Sequence, residues 1–514
     1  MERVLTQSGW VEGEARAAHQ VFRGIPFAKP PVGPLRLRAP ESPEPWTGVR
    51  QARTNGPSSL QSTALLSIIS VPRPVSEDCL YLNVYTPRAD TARRPVFVWI
   101  HGGAFVVGSG GEALYDGGAL AERGDVVVVS INYRLGALGF CHWTESERAR
   151  FGLSSNVGNL DQIAALRWVR DNIAAFGGDP EHVTIAGESA GAFSVAMLLA
   201  MPAAKGLFQR AITQSGARLS RVAGDPARPT QELLRVLEIG PDQIETLWRL
   251  PAERILEAQQ RVGAGGGAAM GGARTFCPVV DGDTLPCTIE EAFARGHSAG
   301  IPLLIGTNRD ELNLFLGAEL KRLHEPLDHA ALMQQLCALV PEAAPEQACE
   351  LLEIYRQSRC SRQLPASERA LLAAISSDAL WRIPSMRFAE AHLLRESRTY
   401  QYLFTYGSPA MRGALGSCHA LELGFVFGTL SSQGQPDFAG NGAAQQQLSA
   451  RLMDSWIAFV RTGDPSVPGA NQAWPAYDLE RRPTLVFDLV SGLQNDPFGE
   501  ERAAWSNLTP RPLQ

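Results

Sequence analysis

An apolar run, Val183-Thr184-Ile185-Ala186, leads directly into Gly187-Glu188-Ser189-Ala190-Gly191, and a small apolar stretch, Ala192 to Ala200, follows. A chain that passes from a β-like run to a helical one in so few residues must turn tightly at Ser189. The flanking glycines leave room for the backbone to pass close to both strand and helix. The serine oxygen then stands exposed at the end of a strand, where a base can reach it. Gly-x-Ser-x-Gly arises easily in a chain with 49 glycines, and an ordinary strand-to-helix turn is the plain alternative. What gives the motif weight is its context.

Other runs extend that context. Val96-Phe97-Val98-Trp99-Ile100 and Val126-Val127-Val128-Val129-Ser130-Ile131 are near-continuous and β-branched, as strands covered on both faces require. Further strand-like runs are Ala211 to Gln214, Pro302 to Gly306, Tyr400 to Tyr406 and Thr484 to Phe487. Asp161 to Ile173 carries Ile163, Leu166, Val169 and Ile173 at helical spacing, and Gly177-Gly178-Asp179-Pro180 stops it. Strand, helix, strand, turn, helix is the signature of a doubly wound α/β architecture, a large mostly parallel sheet with helices on both faces.

Length and composition bound the rest. At 514 residues and 45% hydrophobic content the chain can bury a large core, and we expect one domain over 1–514, since large α/β folds exceed the usual length per domain. No linker is evident. Insertions are expected near the site entrance at 55–76, rich in Ser and Pro, at the glycine-rich 263–273, read as a flexible loop, and at 316–395, whose helical composition suits a lid. A net charge of −6 makes nucleic acid and anionic membrane unexpected partners. There is no Gly-Lys pair for a phosphate loop, no Gly-x-Gly-x-x-Gly after a strand, no His-Glu-x-x-His and no Cys-x-x-Cys. The first eight residues lack the apolar core of a signal peptide, and no run of about 18 apolar residues suggests a membrane span. The eight cysteines are sparse and scattered, and read as mostly buried thiols in a reducing, cytoplasmic compartment.

A serine on such a turn needs an oxyanion hole, a base and an acid that orients the base. His101-Gly102-Gly103-Ala104-Phe105 follows the strand Val96 to Ile100. Its paired glycines let the Gly102 and Gly103 N–H groups point into a site together with the Ala190 N–H after the serine. His101 heads this loop and precedes the serine, so it reads as a structural hydrogen-bonding residue. With a serine of this kind the acid and then the histidine come later in the chain. Among the nine histidines, His297, His324, His329 and His392 read as surface residues. His419 lies in a loop-like stretch beyond the strand Tyr400 to Tyr406, where a base belongs. The acid should end a strand, and Gly306-Thr307-Asn308-Arg309-Asp310-Glu311 offers two adjacent carboxylates. The residues themselves do not choose between Asp310 and Glu311.

Taken in order, these motifs resemble the type-B carboxylesterase family, which includes bacterial para-nitrobenzyl esterases, animal carboxylesterases and cholinesterases. The likeness runs along nearly the whole chain. It includes Phe22 to Ala28 with Pro30-Pro31-Val32-Gly33, Ser76-Glu77-Asp78-Cys79-Leu80-Tyr81-Leu82-Asn83-Val84, and the His101 to Phe105 loop. Asn132-Tyr133-Arg134-Leu135-Gly136, Phe176 to Pro180, the Ser189 turn, Gly306 to Glu311, and His419 with Glu422 and Phe425-Val426-Phe427-Gly428 follow. The resemblance implies an α/β-hydrolase fold and a triad of Ser189, Glu311 and His419, with Gly102, Gly103 and Ala190 as the oxyanion hole.

By the same resemblance the chain is expected to be a bacterial serine carboxylesterase. It would cleave short to medium acyl esters, bulky alcohols included, through an acyl-enzyme, without metal or organic cofactor, as a monomer acting on a small-molecule ester. The same triad would also serve amide, carbamate, lactone or thioester bonds, and a non-enzymatic binding protein on this fold is the remote alternative. Two departures matter. Secreted relatives pair the cysteine of the Glu-Asp-Cys-Leu motif with one upstream, but Cys79 is the first cysteine here. No tryptophan lies between Trp46 and Trp99, so the cation–π clamp of cholinesterases is missing and no choline specificity is expected.

Overall fold

The computed structural model describes residues 2–62, 74–217, 225–264, 275–325, 327–469 and 473–509. Among these, thirteen strands build the main sheet. They are β1 (Glu2–Thr6), β2 (Gly9–Ala15), β3 (Gln20–Pro26), β4 (Val49–Gln51), β5 (Tyr81–Thr86), β6 (Arg94–Ile100), β7 (Val127–Ile131), β8 (Gly178–Glu188), β9 (Arg210–Gln214), β10 (Leu303–Asn308), β11 (Thr399–Phe404), β12 (Pro483–Phe487) and β13 (Gly492–Asn495). Across the sheet they run β1-β2-β3-β5-β7-β6-β8-β9-β10-β11-β12-β13, with β4 beside β2. From β7 to β12 every neighbour is parallel. The pairs at both margins are antiparallel, except that β4 runs parallel to β2.

The period of two explains why the central runs are unbroken apolar stretches. Val96, Val98 and Ile100 of β6, with Val127, Val129 and Ile131 of β7, face one core, which the helices Val157–Asn172 and Ala190–Ala200 cover through Ile163, Leu166, Val195 and Leu198. Phe97, Trp99 and Val128 face the opposite core, covered by Leu448, Leu452, Trp456 and Phe459 of the helix Ala443–Thr462. A strand buried on both faces gains from each residue, about 1.5–3 kcal/mol per fully buried aliphatic side chain.

Each of the expected core strands is present to within two residues at either end, except that β8 begins at Gly178, five residues before the expected Val183. The margin β1 to β5 has no counterpart in the expected runs: charge or glycine interrupts β1 to β4, and Asn83 breaks the apolar run of β5. The 316–395 stretch is helical, with His329–Leu339, Pro345–Ser361, Glu368–Ser377 and Ile383–Leu393. A third cluster, including Leu336, Leu351, Leu371 and Trp505, packs it against the C-terminal region. The glycine-rich 263–273 stretch begins inside a helix, Ala252–Ala264, and its remainder lies outside the described residues, as does 63–73 of the 55–76 insertion. Among the described residues no helix is long and apolar enough to cross a membrane.

Candidate active site

Four chain segments meet at the carboxyl ends of the central parallel strands, the edge of an open α/β sheet where ligands bind. They follow β6, β8, β10 and β11. Ser189 follows β8 at φ 53° and ψ −122° and precedes the helix Ala190–Ala200. That conformation is strained for a residue with a side chain. It persists because the Ser189 N–H donates to Gln214 O at 2.9 Å and Ser189 O accepts from the Phe193 N–H at 2.9 Å. A Cβ on Gly191 would lie 2.0 Å from Ile100 O, so only glycine lets the helix start this close to β6.

The His101–Phe105 loop lies against the serine. A Cβ on Gly102 would come within 3.1 Å of Ser189 Cβ. Among the described residues the N–H groups of Gly102, Gly103 and Ala190 have no protein acceptor. His101 is buried and tied into the loop: Nδ1 is 2.8 Å from Gly102 O, and the ring stacks on Tyr133 at 4.5 Å. Burial lowers its pKa to about 4, so it stays neutral.

The two adjacent carboxylates part company. Glu311, fully buried, accepts the Asn308 N–H at 2.8 Å on one oxygen, and its other oxygen lies 2.6 Å from His419 Nδ1. Asp310 points the other way, accepting from the Ser417 N–H at 2.9 Å and from Arg309 at 2.9 and 3.0 Å. Burial works to raise the Asp310 pKa, but Arg309, Arg359 and the Ser417 N–H outweigh it and hold the carboxyl below its usual range. His297, His324 and His329 are exposed as expected. His392 is not: it is fully buried, with Nδ1 2.9 Å from Thr399 Oγ1. Ser385, Phe388, Ala389 and His392 share the inner face of their helix, an i, i+3, i+4, i+7 pattern that outweighs the residue's polarity.

Two further carboxylates surround the histidine. Glu188, buried within the serine turn, brings Oε1 to 3.0 Å from His419 Nε2. Among the described residues that oxygen has no other partner. Glu422, fully buried, accepts from Gln214 Nε2 at 3.0 Å and Asn308 Nδ2 at 2.7 Å, and Trp456 Nε1 fixes Gln214 at 2.9 Å. Burial, with Glu188 and Glu311 nearby, pushes the Glu422 pKa up to about 7. Burial alone would lower the His419 pKa, but Glu188 and Glu311 raise it well above the ordinary value. Neither Glu188 nor Glu422 was read from the sequence as part of the base's surroundings. The signal available was their position, one residue before Ser189 and three after His419.

Comparison with known proteins follows the same line. The family model described as "Carboxylesterase family" matches residues 1–505. The para-nitrobenzyl esterase of Bacillus subtilis (strain 168) is 41% identical over 505 residues, covering 97% of each chain. A PNB esterase structure superposes with a TM-score of 0.84 at 39% identity, over 98% of this chain and 99% of that one. A carboxylesterase of Geobacillus stearothermophilus superposes with a TM-score of 0.85 at 40% identity, over 98% and 100%.

Proposed function

This chain belongs to the carboxylesterase family and hydrolyses carboxylic esters, and from that premise we propose that Ser189 is its nucleophile, His419 its base and Glu311 the acid that orients the base. The observation that carries these roles is the 2.6 Å contact between Glu311 Oε2 and His419 Nδ1. In this reading Ser189 Oγ attacks the ester carbonyl while His419 Nε2 takes the hydroxyl proton. The oxyanion of the tetrahedral intermediate accepts from the Gly102, Gly103 and Ala190 N–H groups, which are aimed at charge that exists only near the transition state. The imidazolium then protonates the leaving alcohol, and the same base activates water to release the acid. Nε2 faces Glu188 at rest, so productive geometry requires the imidazole edge to turn towards Ser189, as catalytic hydrogen bonds often tighten only once substrate is bound.

The finer substrate range we propose is short to medium acyl esters, without choline specificity. We also propose a cytoplasmic location, supported by Cys79, which is buried and forms no disulfide. The experiment is hydrolysis of p-nitrophenyl acetate, butyrate and octanoate by wild type, Ser189→Ala and His419→Ala. Turnover of the short esters should fall by several orders of magnitude in both variants. Activity surviving in folded Ser189→Ala would overturn the nucleophile assignment.

A further inference from the structure

Two aromatic rings close on His419 in a way that acyl-transfer chemistry by itself does not require. Phe315 lies 5.2 Å and Trp381 5.4 Å from the imidazole, centroid to centroid, each tilted 49° to it. The two rings stack on each other at 5.7 Å with planes 4° apart. Phe315 ends the 3-10 turn that Glu311 begins (Glu311–Phe315), so one turn delivers both the carboxylate at Nδ1 and one flank of the ring. Trp381 comes from far along the chain, on a π-helical turn, Asp378–Arg382, set between two α-helices. Such turns are rare and recur at functional sites because the extra residue redirects side chains.

Both turns rest on one buried ion cluster. Arg382 donates to Asp378 through Nε at 2.8 Å and also through Nη2, and that same Nη2 lies 3.4 Å from Glu501 Oε2. Tyr355 donates its hydroxyl to Asp378 and accepts from Trp505 Nε1 at 2.8 Å. Ser358 donates to Glu501 at 2.6 Å. Arg359, one residue along, stands 3.8 Å from Asp310, the neighbour of Glu311. Arg309, Arg359, Asp378, Arg382 and Glu501 line one small cavity beside the Trp381 turn. A buried cluster of this kind is a poor source of stability, since desolvation offsets most of its attraction. It does fix directions, and the directions fixed here are those of the acid turn and the Trp381 turn.

We propose that Trp381, together with Phe315, is a positioning residue for His419. The stacked pair confines the imidazole so that Nδ1 stays on Glu311 while Nε2 turns only the short way from Glu188 to Ser189, and the Asp378–Arg382–Glu501 cluster ties that clamp to the C-terminal helix Gly499–Ala504. This rests on the assignment of His419 as the base.

The test measures kcat and KM on p-nitrophenyl acetate and octanoate, with Tm, for wild type, Trp381→Leu, Trp381→Phe and Phe315→Leu, and His419→Ala beside them. A base displaced by a fraction of an ångström should cost kcat about 10- to 100-fold. For Trp381→Leu that loss should be equal on both esters with KM nearly unchanged, and Trp381→Phe, which keeps a stacking ring, should restore most of it. Three results would overturn the proposal: unchanged kcat in Trp381→Leu, a loss confined to KM or to one acyl length, or a loss that Trp381→Phe fails to restore. If Trp381→Leu does not fold, Phe315→Leu decides, since a wild-type kcat there is equally fatal. Activity persisting in folded His419→Ala would instead remove the base assignment itself, a distinguishable failure.

Discussion

A single methyl group at Gly102 should disable the site without unfolding the protein. A Cβ there would lie 2.8 Å from the backbone O of Glu188, where ordinary contact begins near 3.4 Å. The Gly102 backbone must therefore retreat by about 0.6 Å. Donors serve an oxyanion over a window of roughly 2.7–3.1 Å, so a shift of that size carries one N–H out of range. Gly102 does not occupy the left-handed region, so alanine imposes no backbone strain of its own; the same Cβ also comes within 2.8 Å of Glu188 Oε2 and 3.1 Å of Ser189 Cβ, so all of the crowding falls on the site. Losing one such donor costs about 10²–10³ in kcat, or about 2.7–4 kcal/mol of transition-state stabilisation. Crowding of this kind costs about 1–3 kcal/mol of stability, which shifts Tm by only a few degrees in a chain of this length. The assay is kcat and KM for p-nitrophenyl butyrate with a calorimetric Tm, and Gly492→Ala serves as control because a methyl there meets nothing within 4 Å. A folded Gly102→Ala enzyme whose kcat stays within about threefold of wild type would refute the oxyanion role of this loop.

Glu188→Gln should move the acid limb of the kcat/KM profile to lower pH. The base works neutral, and the His419 pKa lies well above the ordinary 6.5 because Glu188 and Glu311 favour the imidazolium. Removing one anion weakens that preference, lowers the pKa and frees the base at lower pH. A limb that stays put or moves up in a pH–rate series on p-nitrophenyl acetate contradicts it. Glu311→Ala should cost about 10⁴ in kcat. Asp310→Asn should chiefly lower Tm, since breaking a buried pair costs about 3–5 kcal/mol; the reverse pattern in paired kinetics and melts would exchange their roles.

The parallel centre of the sheet is legible in the sequence because strands buried on both faces cannot hide their composition. Val96 to Ile100 and Val126 to Ile131 have no polar face to disguise them. The serine turn is legible because Gly191 must pass β6 at a distance that only glycine permits. The antiparallel margin is not, because half-exposed strands such as Glu2–Thr6 alternate weakly and carry charge. The preference between Asp310 and Glu311 came from family resemblance, as adjacent residues on a turn diverge in a way that spacing does not encode. The charges around His419 lay out of reach for a related reason: Glu188, Glu311 and Glu422 converge only once β8, β10 and the segment after β11 stand side by side. Trp381 is the extreme case, since a π-helical turn leaves no periodic trace.

Without a disulfide at Cys79, the ends of the 55–76 stretch are held by other means. Ser58 and Ser59 form a short parallel ladder with Val75 and Ser76, and Gln61 exchanges two hydrogen bonds with Gly108, at 2.7 and 2.9 Å. A covalent link would restrict this stretch even in the unfolded chain and would vanish on reduction. Hydrogen bonds act only in the folded state and ignore the thiol poise of their surroundings. The ends of this stretch are thus held without a redox-sensitive bond, by contacts that answer to temperature and solvent.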